Sequence, residues 1–135
     1  MSWGTKPVLN IEIETIPHEI HRYETAGDWQ YDRSNGRLLI RVSDMGNWKN
    51  EALVAVHELV EALVCLAHGV PQEAVDAFDF SYKGNGEPGG DPKAPYHREH
   101  VFAEKVERSL CHELGLSWRE HDKAVGDLFS YEGET

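Results

Sequence analysis

A chain of 135 residues is long enough for one hydrophobic core and short for two, so a single domain over residues 1–135 is expected. With 40% hydrophobic and 27% charged residues it has a globular rather than a disordered composition. A formal net charge of −11 argues against a phosphate-binding surface, which needs a basic patch, though it leaves open an acidic decoy that occupies a DNA-binding partner.

The N-terminus carries no apolar run of signal length, and nothing approaches a membrane span. Cys65 and Cys111 sit inside helical patterns and read as small apolar residues, so a cytoplasmic protein with reduced thiols is expected. From Pro7 to Ile16 the chain alternates, with Leu9, Ile11 and Ile13 on one side and Asn10, Glu12 and Glu14 on the other, the pattern of a half-buried strand. Tyr23, Trp29 and Tyr31 suggest a second strand within Glu19–Asp32, interrupted at Gly27-Asp28. Asn35-Gly36 is a hairpin signal, and Arg37–Ser43 after it reads as a third strand. The first third of the chain is therefore expected to be a small antiparallel sheet.

A loop with Asn47 and Asn50 as candidate caps leads into Glu51–His68, a long and mostly apolar helix closed by Gly69. A short helix is expected over Gln72–Asp79, with Pro71 at its start. Residues 84–95 hold four glycines and three prolines and read as a lid or a site rim. A second long helix is expected from about Tyr96 to Leu114, with Phe102, Ala103, Val106, Leu110 and Leu114 as its core face. Ser117-Trp-Arg-Glu120 is a capping box that opens a last short helix.

The exceptions inside the first long helix carry the chemistry. At about 100° per residue, His57, Glu61 and His68 share one stripe, with Glu58 and Cys65 at its edge. A carboxylate is costly to bury unless it is paired, hydrogen-bonded or metal-bound. On the second long helix His100, Glu104 and Cys111 line up beside the apolar face, with Glu107 at its border. Each helix thus offers a histidine and a glutamate four residues apart, His57 with Glu61 and His100 with Glu104, a spacing that points two donors at one ion. Imidazole with carboxylate suits zinc, and also manganese or iron. Glu58, beside the first ligand, is placed to accept a proton from activated water.

The bland alternatives differ from residue to residue. His18 and His21 read as surface residues, His68 as a helix-end charge, and His112 and His121 as solvated. Trp29, Trp48 and Trp118 read as core or lid packing, and Cys111 as a weak candidate ligand.

At His57-Glu58-Leu59-Val60-Glu61 the chain resembles the zincin metallopeptidases, whose active helix reads H-E-x-x-H. Glu61 stands where that family has its second histidine. The resemblance implies an α+β zincin-like domain, a small sheet on two long helices. It further implies a metal-dependent hydrolase with Glu58 as base, His57 and Glu61 as ligands, and His100 or Glu104 as the third. A weaker resemblance is to the MazG-type nucleotide pyrophosphatases, on Glu58-x-x-Glu61 followed by Asp76-x-x-Asp79, which implies magnesium. A non-catalytic acidic binding protein, such as a phage accessory factor, is the third possibility.

Overall fold

A computed structural model describes residues 9–84 and 86–129. Its described elements are an α+β arrangement of three strands and four helices, with two single 3-10 turns at His18–Ile20 and Pro88–Gly90. The strands are β1 (Asn10–Ile16), β2 (Gly27–Asp32) and β3 (Arg37–Ser43). The helices are α1 (Trp48–His68), α2 (Gln72–Ser81), α3 (His97–Glu113) and α4 (Trp118–Asp127). The start of the first strand expected at Pro7 lies outside the described residues.

The sheet is mixed, not antiparallel as expected. Its order is β1-β3-β2, with β2 antiparallel to β3 through the turn at Asn35-Gly36 and β1 parallel to β3. Residues 17–26 carry the chain past the slot beside β1, and β3 then fills that slot from the hairpin. Leu38, Ile40 and Val42 on β3 are wholly buried and form the core with Trp29 of β2 and Val54, Ala55, Ala62 and Cys65 of α1. Each large aliphatic side chain so buried is worth about 1.5–3 kcal/mol.

Ile11 and Ile13 pair in register with Leu38 and Ile40 and so share their face of the sheet. They nevertheless remain 40% and 51% exposed, because α1 lies across β2 and β3 rather than β1. On the other face Glu12 pairs with Arg37 and Glu14 with Arg41. The outer edge of β2 is closed by one side chain, since Gln72 Oε1 accepts from Tyr31 N at 2.6 Å and Gln72 Nε2 donates to Trp29 O at 3.4 Å.

Caps fix the helices that carry polar side chains inward. Asn47 Oδ1 accepts from Lys49 N at 2.9 Å and Asn50 N at 3.4 Å, and Glu51 draws the preceding loop onto α1 by accepting from Met45 N. Ser117 and Glu120 form the expected capping box of α4.

Candidate metal centre

The two long helices lie side by side, and the faces they bury against each other are polar at their centre. On α1 His57 and Glu61 are each 5% exposed. On α3 the buried residues are Glu99, His100, Ala103, Glu107 and Cys111, while Phe102, expected in the core, is 50% exposed. The rotation follows from satisfaction. His100 and Glu107 find partners inward, and the small Ala103 and Cys111 between them let the helices approach.

Three donor atoms meet at this contact. His57 Nε2 lies 3.3 Å from Glu61 Oε2 and 3.2 Å from His100 Nδ1, and those last two are 3.0 Å apart. A tetrahedral ion bonded at about 2.0–2.2 Å separates its donors by about 3.3–3.6 Å. The triangle therefore stands within a few tenths of an ångström of that spacing. Every remaining polar atom of the three is held from outside. Glu107 Oε1 accepts from His57 Nδ1 at 2.8 Å, Glu87 Oε2 lies 3.1 Å from His100 Nε2, and Trp29 Nε1 donates to Glu61 Oε1 at 3.1 Å.

His57, Glu87 and His100 also offer donors that all lie within 4.8 Å of one another, so this group too is placed to hold an ion. The tighter set is the one with Glu61. Glu87 is 60% exposed at its side chain and reaches the cluster from the Gly/Pro-rich loop. Gly89 is what lets that loop come so close, because a Cβ there would sit 2.6 Å from His100 Nδ1 and 2.7 Å from Tyr96 Cε2.

The charges sort in opposite directions. Burial pulls the His57 imidazole down, but hydrogen bonds to Glu107 and Glu61 outweigh it and hold the ring well above its ordinary value. The same contest, with Glu61 and Glu87 as partners, leaves His100 up at about 9. Burial pushes Glu61 up, yet His100 and His57 bring it down to about 2. Glu58 differs: burial, and then the charge of Glu61, push its carboxyl well above the ordinary range. No described hydrogen bond occupies that carboxylate, and its Cγ stands where a Cβ on Gly27 would fall, at 2.7 Å.

The structure brings together His57, Glu61 and His100 of the residues singled out in the sequence, with Glu58 beside them. Glu104 does not join them. It faces outward and pairs with Arg108 at 3.0 Å, because Ala103 and Glu107, not Phe102 and Val106, mark the inner side of α3. Asp76 accepts from Arg22, and Asp79 accepts from Tyr23 at 3.0 Å and from Tyr96.

Several histidines and one tryptophan differ from expectation. His121, read as solvated, is wholly buried, with Glu107 Oε2 at 2.6 Å and Asn50 Oδ1 at 2.8 Å. His18 and His21, read as surface, turn in toward the Ser43 hydroxyl at 2.8 and 2.9 Å. His68 pairs with Glu99 at 2.5 Å, and Trp48 is 65% exposed rather than packed.

Glu87 carries no periodic signal. Glu107, seven residues beyond His100, carries one, because two helical turns return it to the same face. Among the described residues no helix is long and apolar enough to cross a membrane. Comparison of the chain with family models, with curated proteins and with solved structures finds no match.

Proposed function

We propose that the protein is a zincin-like metal-dependent hydrolase, or a relative that keeps the metal, with His57, Glu61 and His100 as ligands. One observation carries the reading: donors from two helices, 39 and 43 residues apart in sequence, meet in a triangle of 3.0–3.3 Å. Two nitrogens and one carboxylate oxygen suit zinc best, with manganese or iron as alternatives. Three protein ligands also leave a fourth position open, as a catalytic rather than a structural zinc requires.

A bound zinc ion supplies Lewis acidity and acidifies water toward neutral pH. This chain's own residues would do the rest. The Glu58 carboxylate oxygens take up the proton of the attacking water and return it to the leaving group, and the raised affinity of Glu58 for a proton suits it to that exchange. Glu107 and Glu87 hold the outer nitrogens of His57 and His100, so that the inner nitrogens turn toward Glu61, where an ion would be held. Peptide, amide and phosphoester bonds are all within reach of such chemistry. The pyrophosphatase reading has less support, because Asp76 is engaged by Arg22 and Asp79 by two tyrosines.

The test is elemental analysis of protein purified without added metal, followed by a melting curve with and without chelator. About one equivalent of transition metal per chain is expected. Magnesium lost on dialysis would favour the pyrophosphatase reading. No metal, and a melting point indifferent to chelator, would leave a non-catalytic acidic binding protein.

A further inference from the structure

His121 is the one residue that α4 buries in full, and it is polar. A surface helix ordinarily docks through an apolar stripe. This one packs Val125 on the core and, besides, inserts an imidazole into a row of hydrogen bonds that ends at the candidate ligand His57. Asn50, on the first turn of α1, meets His121 Nδ1 at 2.8 Å through Oδ1. His121 Nε2 meets Glu107 Oε2 at 2.6 Å, and Glu107 Oε1 meets His57 Nδ1 at 2.8 Å. All four side chains are at least nine-tenths buried.

A carboxylate only accepts, so Glu107 obliges both imidazoles to donate to it. When Nε2 gives up its proton to an ion, His57 keeps the other on Nδ1 and offers its Nε2 lone pair on the side of Glu61 and His100. A free glutamate on a helix could swing among rotamers and satisfy either oxygen. Tied at both oxygens, it has one position, and so does the His57 ring.

We propose that His121 and Asn50 are positioning residues for the metal centre, acting through Glu107 to fix the tautomer and orientation of His57. The inference rests on the metal reading above and adds α4 to the site. An imidazole ligand whose outer nitrogen is held by a carboxylate typically loses about 10–100-fold in metal affinity when that support is removed.

The experiment measures zinc affinity by competition with a chromophoric chelator, and the visible spectrum of the cobalt(II) form, for the full chain and three variants. His121→Phe fills the same space without a donor, and its zinc affinity should fall several-fold, by less than the roughly 10–100-fold that follows loss of the carboxylate itself, with an altered cobalt spectrum. His121→Gln sets an amide N–H where Nε2 was and should recover most of the loss. Asn50→Ala, a smaller change, should give a loss in the same direction, and serves if the phenylalanine variant does not fold. A merely structural pin would lower the melting temperature of the metal-free protein without changing the tautomer of His57. Nitrogen-15 NMR of the zinc-loaded chain should therefore show His57 with its proton on Nδ1 and Nε2 as the ligand nitrogen in the wild type, and a mixture of the two ring arrangements in His121→Phe or Asn50→Ala.

Wild-type zinc affinity and an unchanged tautomer in a folded His121→Phe, or in Asn50→Ala, would overturn this role while leaving the metal reading intact. A wild-type chain that binds neither zinc nor cobalt would overturn the metal reading, and this role with it.

Discussion

Replacing Gly89 by alanine sets a methyl carbon 2.6 Å from His100 Nδ1, 2.7 Å from His100 Cγ and 2.7 Å from Tyr96 Cε2. Ordinary carbon contacts begin near about 3.5 Å, so something must move by roughly 0.8 Å. His100 and Tyr96 are 5% and 3% exposed, so neither has open space to swing into. Gly89 is outside the left-handed region, and its backbone would accept alanine, so the whole cost is steric. Overpacking of this kind costs about 1–3 kcal/mol. In a domain of this size that lowers the melting point by roughly 3–15 °C. Gly90→Ala is the control, because a Cβ there meets nothing within 4 Å. The assay is a pair of thermal melts, with zinc affinity measured on the same samples. A shift of about 0.8 Å exceeds the roughly 0.5 Å tolerance of a built site, so zinc should bind Gly89→Ala more weakly as well. Equal melting points for the two variants would refute the packing argument. A destabilised Gly89→Ala with undiminished zinc affinity would refute the link between this glycine and the site.

Glu58→Gln should keep both metal and fold while abolishing hydrolysis, whereas His57→Ala should lose metal and stability together; equal metal loss in the two would make Glu58 a ligand. Glu104→Ala should leave zinc affinity within experimental error, and a tenfold loss there would restore Glu104 to the site. Asp79 gives a pH test. Burial pushes its carboxyl up to about 6, against the pull of the Tyr96 and Tyr23 hydroxyls. Between roughly pH 4 and 6 the folded chain therefore holds a proton that the unfolded chain has released, and stability falls as pH rises through that window. The contribution is about 2–3 kcal/mol at most, and urea melts of Asp79→Asn should lack it. An unchanged pH slope in that variant would show that Asp79 is not the source.

His57, Glu61 and His100 were legible because a helix repeats its face every three to four residues, and a costly polar stripe on an apolar helix stands out. The rotation of α3 was not. Its most apolar stripe runs through Phe102 and Val106, and amphipathicity alone turns that stripe inward. Phe102 lies outside because the polar stripe one step round is satisfied by α1 and α4. The same turn of the helix puts Glu104 outside and Glu107, at the border of that apolar stripe, inside. Nothing local to His121 says that Glu107 awaits it, so its neighbours in sequence point to a solvated side chain. The alternation of β1 gave a strand but no neighbour, and the parallel pairing depends on where residues 17–26 carry the chain.

The separation of the donors along the chain bears on how the protein folds. His57 and Glu61 are one turn apart, so they stand ready as soon as α1 winds, whereas His100 arrives only when α3 docks. On the proposed reading an ion held weakly by the nascent α1 pair becomes a template that captures α3, and zinc should quicken refolding as well as slow unfolding. The polar contact between the helices would then be a closing step whose timing the metal sets.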